Sequence, residues 1–193
     1  MARMVGLLLA ACAVSIRAAE LYHLDPLKTR VEFDVERFGI QWVSAHFPRF
    51  SGDFVFDRTG HESRIDVRVE VASVECRDPR WNQRLRSREW LDVPRYPTMT
   101  YRSFDVHFDA ADRATANGFL TLHGITRPVI LHVSELGCGS DTAACQFVAH
   151  ASIRRSEFDL PHGVWLGGDQ VDIVLSGAGR RASGGDRDRQ PET

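Results

Sequence analysis

Alternation of apolar and polar side chains with a period of two runs through most of this chain and restricts what it can become. Val31, Phe33 and Val35 share one face of a run in which Glu32, Asp34 and Glu36 share the other. Ile65, Val67, Val69 and Val71 repeat the pattern against Arg64, Asp66, Arg68 and Glu70. Such spacing places one face of a strand on a core and the other in water. Further runs occur at Phe50–Phe56, Leu120–Leu122, Val129–Val133, Phe147–Ile153 and Val171–Leu175. In the run after Met99 the parity slips: Met99 and Tyr101 share one phase and Phe104, Val106 and Phe108 the other, which predicts a bulge or bend. Phe38, Ile40, Trp42 and Phe47 form an apolar but irregular continuation of the first run. About eight amphipathic strands with short connections fit an up-and-down antiparallel barrel or a sandwich.

One stretch departs from this period. In DPRWNQRLRSREWLDVPRYPTMTYRS, Asp78 to Ser103, Asp78 suits a helix N-cap and Pro79 the first helical position. Trp81, Leu85 and either Arg88 or Glu89 recur at helical spacing, and Pro94 and Pro97 forbid continuation before a strand resumes at Met99. A lone helix between two halves of a sheet covers or plugs an opening.

The chain has 193 residues, 43% of them hydrophobic, and a net charge of -2, which describes one ordinary globular domain. Charges of both signs are interspersed, so no field attracts a polyanion and no nucleic-acid partner is expected. Arg3 followed by the short apolar run Met4–Ile16 reads as a targeting segment, residues 1–19, with cleavage after Ala18 or Ala19. A rival lies within it: Leu9-Ala10-Ala11-Cys12 resembles a lipobox, whose Cys would carry a lipid anchor. Soluble export is favoured because lipobox cleavage leaves an unusually short hydrophobic region. The domain proper is expected over 20–179, followed by a disordered tail, 180–193. Export permits disulfides, and Cys138 and Cys145 flank the loop GSDTAA between two strands, where they could cross-link a hairpin.

Chemistry is not signalled. The eight histidines show neither HxH nor HExxH, although His123 and His132 could face each other across a hairpin with His150 nearby. No nucleophile elbow, phosphate loop or dinucleotide fingerprint is present, so no catalytic residue, metal ligand or cofactor is assigned. What stands out is the aromatic inventory on the strand faces. Periodicity alone does not separate a packed barrel from a hollow one.

Four segments resemble one family. YHLDPLKTRVEFDVERFGI with RFSGDFVFD behind it is similar to the start of YceI-like proteins. RLRSREWLDVPRYPTMTYRS resembles their "LRS-x-x-F-x-D … YP-x-x-x-x-x-S" element, with Trp90 where Phe is usual. Gly118 to Val129 resembles the "G-x-L-T-x-x-G-V-T-x-P-V" hairpin, and Ile153 to Leu160 the "I-x-R-S-D-F-G-L" segment. Arg37 stands where His is frequent, Arg155 matches the family Arg, and Glu157-Phe158-Asp159 replaces Asp-Phe-Gly. The resemblance implies an all-β fold, an eight-stranded antiparallel lipocalin-like barrel with one helix covering part of it, exported to the periplasm. It also implies that the barrel lumen holds a polyisoprenoid or quinone-type lipid, as a carrier or sequestering protein and not an enzyme. The lining is then expected from Phe33, Val35, Phe38, Trp42, Phe54, Leu85, Trp90, Tyr101, Leu120, Phe147 and Phe158. Transient membrane contact and a homodimer are compatible with this reading. The alternatives are a structural or stress-related barrel without lipid and a histidine metal-site protein.

Overall fold

The computed structural model describes residues 19–37, 41–57, 62–110, 112–138, 144–163 and 168–182. The leader before Ala19, the tail after Ala182, Phe38 and the side chain of Trp42 lie outside the described residues. Eleven strands follow one another among the described residues: β1 (Glu20–Leu24), β2 (Arg30–Arg37), β3 (Gln41–His46), β4 (Phe50–Phe56), β5 (Arg64–Glu70), β6 (Glu75–Cys76), β7 (Thr98–Ala110), β8 (Arg113–Leu122), β9 (Ile125–Cys138), β10 (Ala144–Arg154) and β11 (Gln170–Arg181). Among the described residues a single α-helix, α1 (Pro79–Arg86), separates β6 from β7. Eight strands close an antiparallel barrel in the order β1-β4-β5-β7-β8-β9-β10-β11, with β1 returning to β11.

Closure relies on the length of β11. Its C-terminal residues Gly179–Arg181 pair with Leu24–Tyr22 of β1, while Val171–Ser176 pair with Val35–Arg30 of β2. β1 and β2 therefore share one position in the ring, joined by a corner in which the Asp25 carbonyl accepts from the Lys28 and Thr29 amides. β2, β3 and the two-residue β6 extend the sheet beyond the ring as a flap at the end where α1 lies. The three strands beyond the expected eight are β1, β3 and β6, each too short or too irregular to show a period of its own. The last strand also outruns its expected limit. Arg180 and Arg181, assigned from composition to a disordered tail, belong to β11, and Arg181 binds Glu20 at 2.9 Å.

The two ends of the barrel differ. At one, Leu85 of α1 and Leu122 beside the β8–β9 turn line one cavity and Tyr96 packs on His123; at the other, Cys138 and Cys145 sit directly opposite in the β9–β10 ladder and form the disulfide for which their loop was suited. Beside it the fully buried Tyr22 stacks on Phe54 at 5.0 Å and Phe56 meets Phe108 edge-on at 5.3 Å. The Tyr22 hydroxyl donates to Glu20 at 2.7 Å, which satisfies its polar tip. The expected parity slip is present: the β7–β8 register shifts between Ser103 and Asp105.

The β8–β9 turn is the two-residue connection His123-Gly124, both with positive φ (52° and 75°), the geometry that matches strand twist in a tight hairpin. A Cβ on Gly124 would lie 2.4 Å from the Tyr96 ring. Gly124→Ala is therefore expected to destabilise by roughly 1–3 kcal/mol, from left-handed strain and displacement of Tyr96. Urea unfolding monitored by circular dichroism measures it, and an unchanged midpoint would refute this account of the turn.

Candidate functional site

The inward faces of the strands do not fill the barrel. At the helix end an apolar cavity of about 680 Å³, its open mouth included, is lined by Val31, Phe33, Val35, Phe47, Leu85, Trp90, Leu91, Met99, Leu122, Ile153, Leu160, Val171 and Ile173, with Glu32, Arg155 and Pro161 completing it. At the disulfide end a second cavity of about 590 Å³, its opening likewise included, is lined chiefly by Leu24, Phe54, Phe56, Ile65, Val67, Val106, Phe108, Leu131, Val133, Leu136, Phe147 and Leu175.

Local sequence explains the wall at the helix end. Asp78 caps α1, its side chain accepting from the Arg80 amide at 3.1 Å, and Pro79 occupies the first turn. The helix stops at Arg86, before the Arg88 or Glu89 that its spacing predicted. The Ser87 hydroxyl donates to the Arg84 carbonyl at 2.7 Å, and Asp92, at φ 40°, reverses the chain while its amide binds the Ser87 carbonyl. This early stop aims Leu85, Trp90 and Leu91 together at the cavity. Trp81, at helical spacing with Leu85, meets Trp90 edge-on at 6.0 Å, outside the lining. The Arg84 guanidinium lies 5.4 Å from the Trp81 ring and 5.8 Å from the Trp90 ring, a cation–π contact that holds the pair. Arg86 donates to the Val74 carbonyl at 2.7 Å.

The mouth is built where the quoted segments converge. The β9–β10 ladder ends at His132–His150, and beyond it the 3₁₀ turn Arg155–Phe158 fills the seam with the fully buried Phe158 ring. His123 Nδ1 lies 3.2 Å from the Phe158 carbonyl, Arg127 Nε donates to the Glu157 carbonyl at 3.3 Å, and Tyr96 packs on the His123 ring at 4.5 Å. Asp159, which stands where the resembling segment carries Gly, has φ 53° and ψ 34°, a left-handed conformation that suits Gly and that Asp tolerates. Arg155 is the one cation lining this cavity. Its guanidinium donates to the Gly168 carbonyl and its amide to the Asp169 carbonyl at 2.8 Å. Burial pulls the Arg155 pKa down, and the Asp169 charge opposes that pull. Hydrogen bonds from Ser156 in turn hold the Asp169 carboxyl below its ordinary value.

Of the residues expected to line a lumen, Phe33, Val35, Leu85 and Trp90 face the helix-end cavity, and Phe54 and Phe147 face the other. Phe158 lines neither and plugs the seam. Tyr101 and Leu120 also line neither: paired across β7 and β8, they belong to the layer between the two cavities. The Tyr101 ring lies along β8, so that a Cβ on Gly118 would be 2.6 Å from it, and its hydroxyl donates to the Ala116 carbonyl at 2.9 Å. Desolvation raises its pKa to about 12. Lining residues that the sequence reading left out, such as Met99, Leu122, Ile153, Leu131 and Val133, carry the correct strand parity. Phe47, Leu91 and Leu160 lie outside regular strands and carry no such signal.

The histidine constellation does not form as expected. His132 faces Thr115 and His150, both histidines being exposed on the outer face, while His123 lies in the turn against Tyr96. Among the described residues no group of three or more His, Cys, Asp or Glu side chains is placed to hold a metal. Cys76, outside the disulfide, is half-buried on β6, and burial pushes its thiol pKa up.

An antiparallel barrel with an apolar lumen and a helix at its mouth defines a class of small β-barrel proteins. Within it, the chain belongs to the YceI-like domain family, which it matches over residues 22–178. It is 30% identical over 156 residues to the UPF0312 protein YE1254 of Yersinia enterocolitica, covering 79% of this chain and 81% of that one. It is 29% identical over 150 residues to protein YceI of Escherichia coli O157:H7, covering 76% and 78%. The fold is similar to that of Burkholderia cenocepacia BcnA, with a TM-score of 0.72 and 23% identity over 80% of this chain and 98% of that one. A polyisoprenoid binding domain from Saccharophagus degradans, implicated in plant cell wall breakdown, has a TM-score of 0.61 and 16% identity over 83% and 98%.

The Tyr101 hydroxyl gives a pH signature. Its folded pKa of about 12 lies above the ordinary value of 10, so its stabilisation is complete below pH 10 and is lost as pH rises through 12. Tyr101→Phe is expected to cost about 1 kcal/mol at neutral pH and to flatten the fall in unfolding free energy between pH 10 and 12. Denaturant titrations across that range decide it; parallel pH curves for the two proteins would remove Tyr101 from the account.

Proposed function

We propose that this protein binds a long apolar lipid, of polyisoprenoid or isoprenoid-quinone type, in its barrel lumen and acts as a periplasmic carrier or sequestering protein. One observation carries the reading: two apolar cavities lie within one barrel, one at the helix end and one at the disulfide end. A linear hydrocarbon fits that form better than a compact polar ligand. Each buried methylene is worth roughly 0.8 kcal/mol, so a few isoprene units supply ample gross affinity without a charged contact. Ordering the chain and removing it from a membrane subtract from that gain. The polyisoprenoid binding domain among the similar folds supports the same ligand class. Export is supported by the apolar leader and by the Cys138–Cys145 disulfide, which suits an oxidising compartment. Binding without catalysis agrees with a helix-end cavity whose buried cation, Arg155, donates to the Gly168 carbonyl. A solid structural barrel is the weaker reading, because its core would leave no such spaces.

Native mass spectrometry and lipid extraction of the protein purified from its exported form are the direct test. A co-purifying prenyl lipid is expected, and protein that neither carries nor takes up polyprenol in detergent would overturn the reading. Trp90→Ala should weaken polyprenol binding by roughly tenfold, equivalent to ~1.4 kcal/mol, while shifting the urea midpoint little, since the ring is only partly buried. Proportionate loss of stability and binding would reduce α1 and its exit to core packing.

A further inference from the structure

The outer surface of the barrel carries an apolar patch that closure of the fold does not use. Phe104, at the β7 bulge, is 64% exposed, and its ring lies 5.1 Å from that of Phe119, itself 48% exposed on β8. Phe119 faces Pro128 across the β8–β9 ladder, and Ile130, 49% exposed, is the next outward residue of β9. Two aromatic rings left in water are costly, and a contiguous exposed patch of this kind marks a contact surface.

Its position beside a weak seam gives the patch a direction. β5 and β7 pair only over Asp66–Glu70 and Arg102–Thr98, although β7 runs on to Ala110. Where the ladder ends, the Ile65 amide turns to the Ser103 hydroxyl at 2.7 Å, one residue before Phe104. The disulfide-end cavity reaches this seam: Ser63 and Ile65 line it from the β5 side and Val106 and Phe108 from the β7 side.

Charge around the patch narrows the occupant. Asp66 is held by Arg102 at 2.9 Å, and Asp105 by His107 at 2.8 Å and Asn117 at 3.1 Å. Arg64 and Arg68, exposed on the adjoining outer face of β5, have no ion pair among the described residues. Aromatic rings with arginines at their margin and neutralised acids suit the interface of a bilayer carrying anionic lipid.

We infer that this face docks on an anionic lipid bilayer and that the unpaired β5–β7 seam is the side portal through which a lipid chain passes to the disulfide-end cavity. The inference rests on the lumen being a lipid site, and it adds where the lipid crosses the wall and which surface meets the membrane. Phe104 and Phe119 enter the headgroup region, Arg64 and Arg68 hold the acidic headgroups, and the chain slides past Ile65 without entering bulk water.

The test compares purified protein with the variants Phe104→Ser/Phe119→Ser and Arg64→Glu/Arg68→Glu. Three readouts are needed: co-sedimentation with phosphatidylcholine vesicles with or without phosphatidylglycerol, uptake of polyprenol from those vesicles, and uptake of polyprenol presented in detergent. Wild-type protein is expected to sediment with the phosphatidylglycerol vesicles. Each double variant should lose that association by roughly tenfold and take up polyprenol from vesicles more slowly. Uptake from detergent should be unchanged, because none of the four residues lines a cavity. Equal sedimentation of variants and wild type, or none by any of them, would overturn the docking face. A wild-type dimer in velocity sedimentation that Phe104→Ser/Phe119→Ser abolishes would assign the patch to a second copy and overturn it as well. Failure to take up polyprenol from detergent strikes the lumen reading instead, so the two failures are distinguishable.

Discussion

The barrel depends on one strand serving two partners. Because β11 gives its far half to β1 and its near half to β2, the ring closes at the disulfide end while the β2–β3 flap stands free at the helix end. A single unbroken first strand would close both ends alike and leave no wide mouth. The corner at Asp25–Thr29 makes the break, and its backbone groups are satisfied locally, with the Asp25 amide and Thr29 hydroxyl both turned to the Ala178 carbonyl. From that corner follow the asymmetry of the two ends, the space that α1 covers, and the place for Leu85, Trp90 and Leu91.

The other breaks in the ladder are handled in two ways. Between β9 and β10 the missing hydrogen bonds occur at the mouth, where Arg155–Phe158 inserts, Phe158 fills the gap, and His123 and Arg127 meet its carbonyls. Between β5 and β7 the gap lies lower, and a single side chain, Ser103, replaces the ladder bond. A seam filled by a fully buried ring resists opening, whereas one closed by a hydroxyl opens at the cost of one modest hydrogen bond. Within one barrel the two breaks therefore have opposite characters.

Strand alternation made most of the fold legible, because a period of two leaves little choice of face: Val67, Val69, Leu131, Val133, Phe147 and Ile153 all turn inward as their parity requires. The bulge at Ser103–Asp105 was legible for the same reason, as a change of phase. Length was harder to read. β1 and β6 carry five and two residues, too few for a pattern, and Arg180 and Arg181 look like tail until Tyr22 and Glu20 are seen beside them. The helix was legible at its start, where Asp78 and Pro79 act locally, and misread at its end. There the stop depends on Ser87 and Asp92 recruiting backbone groups after the reversal has formed. The lumen shows the same division. Phe33, Val35, Phe54 and Phe147 follow from parity, whereas Tyr101 and Phe158 share the chemistry of lining residues and sit in a septum and a seam.

That difference between lining and dividing residues bears on how the lumen works. Tyr101 is large and its hydroxyl is anchored to β8, so the two cavities are separated by a side chain held by hydrogen bonding as well as by packing. Gly118 leaves the ring room to lie flat on the strand. A wall of branched aliphatics alone would deform under an advancing chain, since nothing but dispersion holds it. A chain that displaces the anchored ring must therefore break the hydrogen bond to the Ala116 carbonyl as well as the ring's packing contacts.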